Sequence, residues 1–236
     1  MKRAERGVEV VSLDGATGTF RTAAVEVFGE RVDQAAGYVE LLATHGVERG
    51  LIGPREVDRL WERHVLNSAV IGEQIPSGVR VVDVGSGAGL PGVPLAIARP
   101  DLAIVLLEPM ARRVDWLAEV AEKLELPITI VRGRAEERSV REQLGGADVV
   151  TARAVAPLAR LAGWCLPLVR PEGRLVALKG ASAAEEISRD RDAVRKAGGA
   201  DPVIAECGKA VLEVPSTVVL IRRLPSKPTR PRGRRS

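Results

Sequence analysis

The chain has 236 residues, 45% of them hydrophobic, enough to bury a full core as one large domain or as one domain with a helical extension. No stretch approaches the roughly 18 consecutive apolar residues of a membrane span, and the opening MKRAERGVEVVSLDG carries charges without the apolar segment of a secretory leader. A cytoplasmic location is therefore expected; Cys165 and Cys207, far apart and without ligand or redox spacing, are expected to be core thiols, with no metal.

Residues 1–21 show no period and predict no element. From Thr22, the residues Phe28, Val32, Ala35, Val39 and Leu42 recur at steps of three and four as far as Gly46, which predicts an amphipathic helix stopped by glycine. Pro54 opens a second helical region, with Val57, Leu60, Trp61, His64, Ser68 and Ile71 on one face. Residues 1–78 thus read as an N-terminal helical extension or cap.

After Pro76-Ser77-Gly78 the pattern changes to short β-branched runs alternating with helical segments. Strands are predicted at 79–84, 102–108, 128–133, 147–152 and 173–179, and helices at roughly 91–98, 111–125, 136–143, 156–166 and 182–198. Strands this apolar, joined by helical crossovers, form a parallel sheet covered on both faces. The last two runs, VIAECGKA and STVVLIRR, have only the turn-prone LEVP between them and are expected to pair antiparallel. The fold class is α/β, a doubly wound and mostly parallel seven-stranded sheet over 79–224. The basic tail over 225–236, with Lys227, Arg230, Arg232, Arg234 and Arg235 and no acid, is expected to be disordered and suits a polyanion such as RNA or DNA.

The glycine run Gly85-Ser-Gly87-Ala-Gly89-Leu-Pro-Gly92 follows the first strand, where ligands bind open α/β sheets. Glycine lets backbone turn sharply and approach a ligand, and Gly87 to Gly92 satisfies G-x-G-x-x-G. Glu108, at the end of the second strand, stands where an acid hydrogen-bonds ribose hydroxyls. Asp83 selects among adenosine ligands: a carboxylate just before the first glycine repels the diphosphate of NAD and attracts a cationic amino acid group. S-adenosylmethionine meets both demands, with ribose hydroxyls, a sulfonium, an ammonium and no phosphate.

In order along residues 22–223, the motifs WERHVLNS, VVDVGSGAGLPGVPLAI, VRGRAEE, DVVTARAVAPL and GRLVALKG closely resemble those of the small-subunit ribosomal RNA guanine-N7 methyltransferases, the RsmG or GidB family. The most specific part is DVGSGAGLPGVPLAI, because methyltransferases at large lack its LPGxP continuation. The resemblance implies a class I methyltransferase fold, S-adenosylmethionine as cofactor, and methylation at N7 of one guanosine of 16S rRNA, in the RNA itself, the small ribosomal subunit or an assembly precursor. It also implies a cofactor site that includes Gly85 and Leu90, Ala135 and Glu136 after the third strand, and Arg153 after the fourth, to which the glycine-loop reading adds Gly87 and Gly89.

For the RNA, Lys179 at the end of the fifth strand is placed to meet phosphate or guanine O6, while Arg63, His64 and Asn67 in the cap are placed at the entrance. His64 shares the stripe of Leu60 and Trp61 and reads equally as a core histidine. Stacking candidates are Trp61, Trp116, Trp164 and Tyr38, and Arg112, Arg113, Arg132, Arg134 and Arg138 are candidates for a basic rim. Two other readings stay open on sequence alone: a NAD-dependent oxidoreductase using the same loop, and a non-catalytic RNA-binding module working through its tail.

Overall fold

In the computed structural model, residues 18–153 and 155–225 are described; the expectations for residues 1–17 and for nearly all of the basic tail lie outside them. The first predicted helix is two: α1 (Gly18–Phe28) and α2 (Val32–His45), separated by a single 3-10 turn over Gly29–Arg31. Gly29 has φ +53, a left-handed conformation that is nearly free for glycine, so the axis breaks there although the apolar stripe runs on. Phe28, Ala35, Val39 and Leu42 are all buried, and the amide of Gly46 closes α2 on the Leu42 carbonyl at 2.8 Å.

Residues 54–74 are helical but irregular. Pro54–Arg59 is 3-10, Leu60–Leu66 is a π turn, and one α turn and a further 3-10 turn follow. Leu60, Trp61, Ser68 and Ile71 of the predicted stripe are buried.

The strands are β1 (Arg80–Val84), β2 (Ala103–Glu108), β3 (Thr129–Arg132), β4 (Ala147–Arg153), β5 (Val169–Leu178), β6 (Val203–Cys207) and β7 (Ser216–Arg222). Between them lie α3 (Gly92–Ala98), α4 (Ala111–Lys123), α5 (Arg138–Leu144), α6 (Leu158–Cys165) and α7 (Ala183–Lys196). β5 begins four residues before its expected start, because Val169 pairs with Ala147 ahead of a register shift. The sheet order is β3-β2-β1-β4-β5-β7-β6; β1 to β5 run parallel, while β7 is antiparallel to both β5 and β6. The chain leaves β1 toward β2 and β3 and returns to β4, so the order reverses between β1 and β4, where a ligand crevice opens beyond the strand ends.

Side-chain alternation assigns two cores to the two faces. Val81, Ile104, Leu106, Val149, Val176 and Val218 pack with α1, α2, α3, α4 and the 54–74 stretch. Val82, Val105, Leu107, Val150, Leu175 and Ile221 pack with α5, α6 and α7. The N-terminal extension therefore covers one face of the sheet and shares its core. Both cysteines are buried free thiols.

A methyl added at Gly92 would overlap Leu106 Cδ2 and come within 2.9 Å of Asp83 Oδ2. Overpacking a well-filled core costs about 1–3 kcal/mol, so Gly92→Ala is expected to lower the thermal midpoint by roughly 2–12 °C in a chain of this size. An unchanged midpoint in a thermal melt contradicts this packing.

Candidate active site

The turn after β1 uses the left-handed region three times, with φ +71 at Gly85, +58 at Gly87 and +111 at Gly89. The amide of Gly85 donates to the Leu107 carbonyl of β2 at 2.8 Å, and those of Gly89 and Leu90 donate to the Ser86 carbonyl. The Ala88 carbonyl is clamped twice, by Tyr38 Oη at 3.0 Å from α2 and by Trp116 Nε1 at 2.8 Å from α4. A methyl at Gly89 would meet Val93 and Tyr38, and one at Gly85 would meet Val155 at 3.0 Å. At Gly87 the nearest atoms would be 3.7 and 4.0 Å away, so this residue is the open side of the turn.

Two buried carboxylates hold the turn. Asp83 is fully buried; its Oδ2 accepts from the Gly92 amide at 3.2 Å and its Oδ1 from Thr151 Oγ at 2.9 Å on the neighbouring strand. Burial pushes its pKa up to about 6, against the lowering effect of these hydrogen bonds. Glu108, 1% exposed, accepts from the Gly87 amide at 2.9 Å through Oε2 and from the Met110 amide at 3.0 Å through Oε1. Arg113 lies 4.0 Å from Oε1. Glu108 is thus at the open side of the turn, whereas Asp83 is enclosed and braces it from within.

Arg153, at the end of β4, turns toward the cap. Its Nη1 donates to the His64 carbonyl at 3.1 Å and to Ser68 Oγ at 2.9 Å; its Nη2 donates to the Arg63 carbonyl at 3.0 Å and to His64 Nδ1 at 2.5 Å. A guanidinium only donates, so Nδ1 accepts and the imidazole proton sits on Nε2, which donates to Glu56 Oε2 at 2.8 Å. These four bonds use four of the five N–H groups of Arg153, the residue expected at the cofactor, and leave one for a ligand.

Beside the turn, at the ends of β4 and β5, lies a cavity of about 1160 Å³. The 54–74 stretch, Val155 to Pro157, Leu178 to Ser182, the start of α7, and Val214, Pro215 and Thr217 line it. Val155 faces both this cavity and Gly85. Lys179 belongs to the cavity wall but is 10% exposed and paired with Glu186 at 2.8 Å, while Arg63, 49% exposed, lies 3.7 Å from Glu56. The structure thus brings Arg63, His64, Asn67, Arg153 and Lys179 together around one cavity. Ala135 is buried and Glu136 exposed, beyond the end of β3.

Three of the four aromatic stacking candidates are corrected: Tyr38 and Trp116 are fully buried and Trp61 is 5% exposed, so none presents a face to a base. Trp164 is partly buried with Arg160 over its ring. Arg112, Arg113, Arg132, Arg134 and Arg138 do not line the cavity. Sequence reasoning missed Thr151, Ser68, Glu56 and Glu186; the alternation of β4 places Thr151 on the face of Val149, but its register with Asp83 is a pairing that no local pattern carries.

A glycine turn backed by a buried acid at the end of β2, in a sheet whose β7 is antiparallel between β5 and β6, defines a class I methyltransferase fold. Solved structures agree: SibL, an S-adenosylmethionine-dependent methyltransferase in its apo form, matches with a TM-score of 0.57 at 19% identity, covering 88% of this chain and 76% of its own. A putative S-adenosyl-L-methionine-dependent methyltransferase from Methanococcus maripaludis matches with a TM-score of 0.56 at 14% identity, covering 81% and 95%.

The family model for rRNA small subunit methyltransferase G, GidB, matches residues 31–214, and the chain belongs to that family. It is 60% identical over 207 residues to ribosomal RNA small subunit methyltransferase G of Rhodococcus jostii, covering 88% of this chain and 91% of the relative. With the Mycobacterium marinum protein of the same name it shares 59% identity over 201 residues, covering 85% and 88%. The chain is thus an enzyme of the methyltransferase class, which replaces both the oxidoreductase and the non-catalytic readings. Among the described residues no helix is long and apolar enough to cross a membrane, and no group of three or more metal-ligating side chains occurs.

Burial holds His64 below its ordinary pKa, followed by the Arg153 guanidinium, while Glu56 works in the opposite sense. The native chain then binds this proton less readily than the unfolded chain. The associated stability is present above about pH 6.5 and is lost as the pH falls below it. His64→Gln is expected to flatten the fall in unfolding free energy between about pH 6.5 and pH 5, measured by urea titration; an unaltered slope contradicts the lowered pKa of His64.

Proposed function

We propose that the chain transfers a methyl group from S-adenosylmethionine to N7 of one guanosine in 16S rRNA, as the RNA itself, in the small ribosomal subunit or in an assembly precursor. The observation that carries this reading is membership of the rRNA small subunit methyltransferase G family, with relatives near 60% identity over most of both chains. The chemistry of the turn fits the cofactor. Gly87, the open residue, already gives its amide to Glu108, so the turn offers carboxylate where a dinucleotide would need a donor for phosphate. Asp83 adds a second acid behind it, at a pKa near 6. A cationic nucleoside without phosphate suits this field.

In this assignment Gly85, Gly87, Gly89 and Leu90 shape the turn, Glu108 takes the ribose hydroxyls through its free lone pairs, and Ala135 and Glu136 border the adenine. Arg153 spends one remaining N–H on the methionine carboxylate and otherwise ties the cofactor side to the cap. When bound, S-adenosylmethionine supplies an electrophilic methyl on a sulfonium. Guanine N7 has an in-plane lone pair and no proton to lose, so the displacement requires no general base. Alignment then carries the rate, and well-oriented reactants can save roughly 7–11 kcal/mol of barrier.

The cavity is assigned to an extruded guanine because Val155 borders both it and Gly85. Reaching N7 in a folded RNA requires such an exposed base. Arg63, half exposed and only loosely paired, is better suited to an RNA phosphate than His64 or Lys179, whose polar atoms have protein partners.

Incubation with labelled S-adenosylmethionine and small subunits lacking the modification is expected to label N7 of a single 16S guanine; label on an exocyclic nitrogen, or none on any RNA, overturns the proposal. Glu108→Gln is expected to weaken S-adenosylhomocysteine binding about tenfold, or 1.4 kcal/mol, by isothermal titration. Unchanged affinity removes Glu108 from the ribose site.

A further inference from the structure

Resting on the methyl-transfer reading above, we infer that Glu186 is a positioning residue for the reaction: through Lys179 and the Leu158 amide it holds the wall between the cofactor turn and the cavity. That wall is the segment Val155 to Pro157. The β4–β5 ladder ends at Arg153 and Leu178, so sheet hydrogen bonds do not reach it. Val155 presses against Gly85, and Val155, Ala156 and Pro157 all face the cavity. Its displacement therefore changes how the cavity is aligned against the turn.

Its anchors come from a different helix. α6 begins at Leu158 after Pro157, with no side-chain cap from its own residues. The first amides of a helix need acceptors and favour negative charge. α7 supplies both: Glu186 Oε2 accepts from the Leu158 amide at 2.9 Å, and Asp190 Oδ2, one turn along, accepts from the Ala159 amide at 3.0 Å. Glu186 Oε2 also takes Lys179 Nζ at 2.8 Å, and that ammonium donates in turn to the Ala156 carbonyl at 3.0 Å. Ser182 Oγ donates to the other oxygen, Oε1, at 3.2 Å. The Lys179 and Glu186 side chains are only 10% and 15% exposed. A charge so shielded is held by its partner, and removing one member leaves the other uncompensated.

The consequence is directional. Without the Glu186 charge, Lys179 loses its counter-ion, turns its ammonium into the cavity and releases the Ala156 carbonyl. The wall then shifts against Gly85, and because alignment carries this reaction, a small misplacement is costly. RNA, a polyanion, meets an extra free cation at the same time.

The test uses the full chain with unmodified small ribosomal subunits. Glu186→Gln keeps an oxygen for the Leu158 amide but offers Lys179 no charge. It is expected to lower kcat about ten- to hundredfold, to lower KM for the RNA about threefold, and to leave S-adenosylhomocysteine affinity within about twofold. Simple loss of folded protein cannot tighten RNA binding while slowing turnover. The double variant Lys179→Met with Glu186→Gln is expected to lose no more kcat than Lys179→Met alone, because Glu186 acts through Lys179. A wild-type kcat in Glu186→Gln, a KM that rises as kcat falls, or additive losses in the double variant would each overturn the inference. Should Glu186→Gln fail to fold, Lys179→Met decides by itself: it must lower kcat with S-adenosylhomocysteine binding retained, and an unchanged kcat overturns the positioning role. A wild-type chain that labels no RNA defeats the methyl-transfer reading itself; an active wild type with a silent Glu186→Gln defeats only this inference.

Discussion

The site depends on a carboxylate placed where a core residue would ordinarily stand. Asp83 occupies an inward position of the central strand, with no exposed surface, on the face that Val81 shares with the cap. Burying an ionised acid is expensive unless hydrogen bonds compensate it. Here Thr151 reaches one oxygen from β4 and the Gly92 amide reaches the other from the far end of the glycine run. That pair of bonds does what packing alone cannot: it joins the strands on either side of the switch point and fixes where α3 begins. Because the compensation is incomplete, burial still raises the Asp83 pKa to about 6.

The rest of the turn follows from the same need to satisfy polar groups in a confined space. Ala88 offers one carbonyl, and Tyr38 and Trp116 both donate to it from two different helices. Large aromatics at these positions are structural, each combining a wide apolar body with one polar atom. An enzyme with 3% aromatic content has spent two of its few rings on holding backbone. On the other side of the crevice, Arg153 plays the matching part, tying β4 to the carbonyls of a π turn in the cap. Irregular helical turns recur at functional sites, and this one presents the carbonyls of Arg63 and His64 to the guanidinium.

Charge in the cavity is largely spoken for. Lys179 pairs with Glu186, Arg63 approaches Glu56, and Arg189 pairs with Asp190. Ions held this closely, Lys179 with Glu186 and Arg189 with Asp190, position the walls more than they attract phosphate, since each already has a partner at short range. The cavity wall is therefore shaped in large part by ion pairs. The same pairing explains how α6 manages without a cap of its own: α7 carries the acids.

The alternation of apolar strands and amphipathic helices determined the α/β class, the parallel order of β1 to β5 and the antiparallel end, because both periods are local consequences of backbone geometry. The glycine run and Glu108 were legible for the same reason, since a turn at the end of a buried strand has few chemical solutions. The break at Gly29 was hidden because the apolar stripe continues through it, and the early start of β5 because its first pairing partner lies in β4. What only the tertiary structure decided is which charges are free. Asp83 against Thr151, Arg153 against the cap and Lys179 against Glu186 join residues 68, 89 and 7 positions apart. A hydrogen bond or ion pair forms where two chain segments meet in space, and no residue's own neighbourhood records that meeting.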